Sequence, residues 1–340
     1  MTYYKVRVST QDTKEMLLRQ TPGCAGRWRN YEFHINEDIE EADFWVVYSK
    51  GRCMNETCHV PPENMIFISG EPDSVYQYST KFLKQFNRVL APTKVIKHPH
   101  LIRTQPSLAW YIGVSFQSDN LSTVGKRVIM PNSDYDYFKQ HKPLEKKKLM
   151  SVMCSNLRIT KGHQERVDFV EKLKAKYGDQ IDVFGRGFNP IDDKWDALRD
   201  YKYHIVVENT RCEHYWSEKL ADAFLGGCYP IYYGCPNISD YFPDGSYTSI
   251  DLHDFDAASK IIDEVIAQNL AEKNRDKLIE ATDLLLDKYN VINVIADVCD
   301  TLNPDAPKHN ILMRHDLGFY NWKKVRTMIS RYYYKYLYKK

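Results

Sequence analysis

Residues 205–240 read IVVENTRCEHYWSEKLADAFLGGCYPIYYGCPNISD, and few folds accommodate such a run. Its apolar start, Ile205, Val206 and Val207, stops abruptly at Glu208, Asn209 and Thr210. After a polar turn an amphipathic segment begins near Ser217, with Glu218 and Lys219 in its first turn. Residues 228–233, CYPIYY, then supply a second apolar run rich in aromatic and β-branched side chains, closed by Gly234 and Pro236. Strand, loop, helix and strand in this order predict a β-α-β unit of a parallel sheet. Ligands of such sheets sit beyond the carboxyl ends of the strands, where Glu208, Asn209, Glu218 and Lys219 fall.

The same alternation extends through the chain. Residues 4–8 alternate like a strand, 44–48 (FWVVY) and 65–68 (MIFI) are apolar strands, and 89–91 form a short one. The acidic segment 37–43 and residues 76–85 read as helical. In the second half, 149–154 and 181–184 are strands, the latter ending at Gly185-Arg186-Gly187. Helices are expected over 164–176, where Val167, Val170 and Leu173 share a face, and over 258–267 and 274–289. At 340 residues the chain exceeds what one hydrophobic core organises. The basic stretch 139–148 (KQHKPLEKKK), interrupted by Pro143, is the expected linker. The fold class that follows is α/β, with two Rossmann-like domains facing across a cleft. The expected units are an N-terminal domain over 1–140, a second domain over 141–305 and a tail over 306–340.

Composition removes several alternatives. The 43% apolar and 27% charged fractions fit an ordinary globular chain and exclude disorder, and a formal charge of +2 gives no reason to expect nucleic acid. No apolar run approaches the ~18 residues of a membrane span. The N-terminus, MTYYKVRVSTQDTKE, has charge in its first residues and no apolar core of a signal peptide, so a cytoplasmic location with eight reduced cysteines is expected. Cys53 and Cys58 could make half a zinc site, but no second pair follows at suitable spacing. His98 and His100 lack a third ligand, and the Asp134-Tyr135-Asp136 pattern is too short a match to support a cation site. No metal and no cofactor is expected.

A cleft that handles a phosphorylated donor needs fixed cations. Lys219, at a helix N-terminus, stands where the helix dipole disfavours a cation unless an anion is bound; pairing with Asp222 is the plain alternative. Arg166 lies in the helix after the 155–162 loop and can reach the same place. A general base must come from the opposite wall, where Glu71 directly follows an apolar strand beside Gly70 and Pro72, with Asp73 in reserve. Read in isolation, either acid is first of all a turn or helix-capping residue.

VVENTRCEHYWSEKLADAF followed by GGCYPIYYGCPNISDYFP resembles the nucleotide-sugar motif of glycosyltransferase family 10, the α-1,3/4-fucosyltransferases, whose pattern is FEN, a variable loop, YxTEK and then P-I/V-x-x-G. The likeness covers roughly residues 149–256 and is nearest to the soluble bacterial members. It implies a GT-B architecture, GDP-fucose as donor, and an inverting transfer of fucose to a glycan hydroxyl that needs no metal. By position it implies donor contacts from Asn209, Tyr215, Glu218 and Lys219, a diphosphate contact from Arg166, and a catalytic base at Glu71. Val207 stands for the Phe of FEN, Ser217 for the Thr, and GEPDS for the usual ESP, which leaves Glu71 and Asp73 both open as base. Another GDP- or UDP-activated sugar, or a binding protein without catalysis, stays open on the motif alone.

Residues 321–340 (NWKKVRTMISRYYYKYLYKK) carry seven Lys or Arg and no acid, with Trp322, Val325, Ile329, Tyr332, Tyr333 and Tyr336 at helical spacing. A basic amphipathic helix of this kind suits an anionic membrane surface, which would make the protein peripheral on the inner face of the cytoplasmic membrane. A terminal helix packed on the body is the alternative.

Overall fold

A computed structural model describes residues 2–93, 95–117, 126–140, 145–158, 161–319 and 329. Seven strands build the N-terminal sheet: β1 (Tyr4–Ser9), β2 (Arg27–Trp28), β3 (Tyr31–Ile35), β4 (Phe44–Tyr48), β5 (Met65–Ile68), β6 (Arg88–Ala91) and β7 (Leu101–Arg103). Their order is β2-β3-β1-β4-β5-β6-β7, parallel except for the β2–β3 pair. A parallel sheet is covered on both faces, which is why β4 and β5 are apolar and buried at every position. Val8, Val46 and Ile68 face one layer, and Trp45, Val47 and Phe67 the other.

The second sheet is wholly parallel, in the order β9-β8-β10-β11-β12, with β8 (Lys148–Met153), β9 (Ile181–Phe184), β10 (Tyr201–Val207), β11 (Tyr229–Tyr233) and β12 (Thr248–Ser249). Helices α1 (Lys161–Tyr177), α2 (Trp195–Leu198), α3 (Glu218–Leu225), α4 (Phe255–Ala267) and α5 (Arg275–Asp287) belong to its core. Helix α6 (Val291–Cys299) instead buries Val291, Ile292, Ile295 and Ala296 against the N-terminal sheet, so the chain crosses back between domains inside the expected 141–305 unit. Strand His309–Met313 continues the return by pairing with Glu56–Val60. Two Rossmann-like domains facing one another make this a GT-B architecture.

Two helical expectations fail. Residues 37–43 form no helix, because their backbone pairs elsewhere: Ala42 N donates to His59 O at 3.1 Å and His59 N to Glu40 O at 2.8 Å. Over 76–85 only Thr80–Leu83 is α-helical, since Ser79 is the N-cap and its side chain accepts from Lys81 N and Phe82 N. Of the expected linker, 141–144 lie outside the described residues, as does the basic segment 321–340 apart from Ile329. No helix among the described residues is long and apolar enough to cross a membrane.

Candidate active site

Strand β10 ends at Val207, and the next residue turns inward. Glu208 is 1% exposed, and its carboxylate organises the start of α3: Ser217 N donates to Oε1 at 2.8 Å and Ser217 Oγ to Oε2 at 2.7 Å. Ser217 is at once the N-cap, accepting from Lys219 N through Oγ. The Glu208 side chain passes over Gly234, where an added Cβ would come within 2.5 Å of Glu208 Cγ, so only glycine leaves room.

Lys219 is held by acids of its own neighbourhood. Its Nζ lies 3.4 Å from Glu208 Oε2 and 3.2 Å from Glu218 Oε1. Burial opposes the charge, but Glu218 and Glu208 outweigh it and raise the ammonium above the ordinary lysine range. For Glu218, burial pushes the carboxyl up while Lys219 and then Lys194 pull it down, to about 2. Asp222, the alternative partner for Lys219, pairs instead with Lys194 Nζ at 2.5 Å. Its other oxygen accepts from Tyr111 N at 2.9 Å and Ile112 N at 3.0 Å, tying the donor helix to the N-terminal half of the chain.

Arg166 arrives from α1. It is 5% exposed, donates through Nη1 to Asn209 Oδ1 at 2.5 Å and through Nη2 to Ser155 Oγ at 3.4 Å, and leaves Nε buried without a partner. No carboxylate pairs with it among the described residues. α1 can come this close because Gly162 has no side chain: a Cβ there would sit 2.1 Å from Asn209 O. A buried guanidinium with no acid beside it is the arrangement of an anion site, since an uncompensated buried charge is costly.

Arg166, Glu218 and Lys219 line one cavity of about 210 Å³, together with Lys194, His204 and Asp222. Tyr215, 4% exposed, lies beside it, its phenol raised by burial and then by the Glu208, Glu71 and Glu218 carboxylates. Glu71, half-buried after β5, acts in the same way on the buried phenols of Tyr48 and Tyr78 in the N-terminal half. Across the cleft Ser74 Oγ meets Thr210 Oγ1 at 2.7 Å, and Arg103 pairs with Glu213 at 2.9 Å. Asp73 lies two residues further along the Glu71 loop, where its carbonyl accepts from Gln77 at 3.2 Å. Asp134 and Asp136 are engaged locally, accepting from Tyr137 N and Gly23 N. Among the described residues no three His, Cys, Asp or Glu side chains gather as metal ligands.

Sequence patterns bring Asn209, Glu218 and Lys219 to one strand end and offer Arg166 from the preceding helix, and the structure sets Arg166 against Asn209. They do not single out Ser155, His204, Lys194 or a carboxylate for Lys194. Lys194 sits in a loop without periodicity, and a cavity-lining strand residue such as His204 looks like any other member of an apolar run.

Residues 143–277 match the model of the glycosyltransferase family 10 (fucosyltransferase) C-terminal domain. An α-(1,3)-fucosyltransferase, FucT, from Helicobacter pylori is 33% identical over 79 residues, which are 23% of this chain and 16% of that protein. An α-(1,4)-fucosyltransferase from Arabidopsis thaliana is 42% identical over 50 residues, 15% of this chain and 12% of that protein. These alignments thus span only a small part of either relative. The crystal structure of an α1,3-fucosyltransferase with GDP-fucose superposes with a TM-score of 0.50 at 17% identity, over 88% of this chain and 90% of that one, a likeness of fold. The chain therefore resembles glycosyltransferase family 10 (fucosyltransferase), whose C-terminal domain model its residues 143–277 match, on a GT-B frame.

Proposed function

We propose that the chain is an inverting fucosyltransferase that moves fucose from GDP-fucose to a hydroxyl of a glycan acceptor, forming an α-1,3 linkage on a bacterial surface polysaccharide or lipopolysaccharide. The observation that carries the reading is a buried arginine and a half-buried lysine lining one cavity at one strand end. Arg166 has no acid partner among the described residues, and Lys219 is fixed by Glu208 and Glu218. A diphosphate supplies the missing anion, and a preorganised cation pair stabilises charge as it develops on departing GDP without a metal. On the facing wall Glu71, with Asp73 in reserve, takes the proton of the acceptor hydroxyl. The acceptor oxygen bonds to the anomeric carbon from the side opposite GDP, and the sugar–phosphate bond breaks with its electron pair on GDP. The donor proposed is the one held by the α1,3-fucosyltransferase of similar fold.

The test is GDP release from GDP-fucose with an oligosaccharide acceptor, accompanied by thermal shifts with GDP, UDP, CMP and dTDP compounds. A shift selective for GDP and a product of inverted anomeric configuration are expected. Lys219→Ala, still folded, should lower turnover by on the order of 10². Unchanged turnover in that variant would remove the central claim. The reading includes a cytoplasmic enzyme attached to anionic membrane through 321–340, which rests on the sequence. Liposome pelleting that survives deletion of 321–340 would remove the membrane part.

A further inference from the structure

The donor cavity reaches inward past its ring of charges to a histidine that the proposed mechanism does not use. His204 lies in the middle of β10, is 4% exposed, and lines the same space as Arg166, Lys194 and Glu218. Its register partner on β8 is Ser151. Ser151 Oγ donates its one proton to Ala197 O at 2.6 Å, so at its 2.8 Å contact with His204 Nδ1 it accepts. That fixes the proton on Nδ1 and leaves Nε2 a bare acceptor, with no hydrogen-bond partner among the described residues.

The imidazole is neutral: burial first, then the nearby Lys194 and Lys146 charges, hold it down to about 3. A neutral acceptor on a residue that lines a cavity is matched by whatever fills that cavity. It cannot take a phosphate oxygen, which brings no proton, and a cation would add to Lys194. What fits is an uncharged hydrogen-bond donor. The space is large enough for one, since about 210 Å³ is well beyond the ~30 Å³ share of a single water. With phosphates held at Arg166 and Lys219, the groups attached directly to them are sugar rings on either side.

We propose that His204 Nε2 accepts a hydrogen bond from a sugar-ring hydroxyl of the bound nucleotide sugar, making His204 a donor-recognition residue at the floor of the site. The hydroxyl belongs to the ribose or to the transferred sugar. This assignment rests on the donor-site reading above and adds to it a contact that discriminates among ligands.

The experiment is calorimetric titration of GDP and of GDP-fucose into the full chain and into His204→Phe, with thermal melts alongside. His204→Phe should lose on the order of tenfold in affinity, the worth of one buried hydrogen bond. Loss confined to GDP-fucose assigns the transferred sugar, and equal loss on both ligands assigns the ribose. Unchanged affinity for both, at an unchanged melting temperature, means that Nε2 holds only water and overturns the proposal. Should His204→Phe fail to melt cooperatively, the near-isosteric pair His204→Asn and His204→Leu takes its place. Asn keeps an acceptor oxygen and should bind at least several-fold tighter than Leu; equal binding by the pair overturns the proposal as well. If the unaltered chain binds no GDP, the donor-site reading itself falls, a result distinct from loss in the variants alone.

Discussion

Arg166 Nη1 donates to Asn209 Oδ1 at 2.5 Å, so a residue just past the end of β10 orients the cation supplied by the preceding β-α unit. One edge of the guanidinium is thereby spoken for, while Nε stays buried without a partner. Lysine could keep the charge but not the fork that serves Asn209, Ser155 and an anion together. Arg166→Lys should therefore weaken GDP binding by on the order of tenfold. Calorimetry with GDP measures this, and an unchanged Kd would detach Arg166 from the diphosphate.

The base can be separated from its neighbour by two neutral isosteres. Glu71 acts electrostatically on Tyr215, Tyr48 and Tyr78, a position against the donor site. If Glu71 takes the acceptor proton, Glu71→Gln should cut transfer by on the order of 10² to 10⁴ while leaving GDP affinity within a few-fold, and Asp73→Asn should stay within a few-fold of the parent. Transfer rates and GDP titrations on both variants decide the matter. The reverse pattern would move the role to Asp73.

Asp222 makes a prediction about stability rather than chemistry. Buried at 1% exposure, it compensates Lys194 and satisfies the Tyr111 and Ile112 amides from the other half of the chain. Asp222→Ala leaves the half-buried Lys194 with only Glu218 as an acid partner among the described residues, at 3.9 Å, and takes the acceptor from the Tyr111 and Ile112 amides, at a cost of about 2–3 kcal/mol. Denaturant unfolding should show that loss, and Asp222→Asn, which retains one acceptor oxygen, should lose less. Loss below ~1 kcal/mol in Asp222→Ala would mean that water replaces the carboxylate.

The parts of the site visible in the sequence are those fixed by contacts close along the chain. Ser217, Glu218 and Lys219 are placed by a helix start, and Asn209 by the strand before it, all inside one β-α-β unit. What escaped is set by tertiary packing. Lys194 finds Asp222 across 28 residues, although helical spacing had offered Asp222 to Lys219. The same override removed the helix over 37–43, whose backbone finds its partner in His59. Helix α6 is amphipathic in its own right, yet nothing in its periodicity says which sheet it covers, and it covers the first.

Acid should uncouple the charge cluster before it denatures the cores. The Glu218 carboxyl is held at about 2 in the folded protein, because Lys219 and Lys194 overcome the opposing effect of burial. An unfolded chain would return it to the ordinary glutamate value near 4.3. A depressed folded value means that the unfolded state binds more protons at intermediate pH. Its stabilisation is complete above the unfolded value, and it is lost as pH falls from about 4.3 toward about 2. Glu218→Gln should therefore be less stable than the parent at pH 7, and the gap should close steadily across that acid window. Melting temperatures of the two proteins from pH 7 down to pH 3 test this. A gap that persists unchanged at pH 3 would show that the glutamate contributes through packing rather than through its charge.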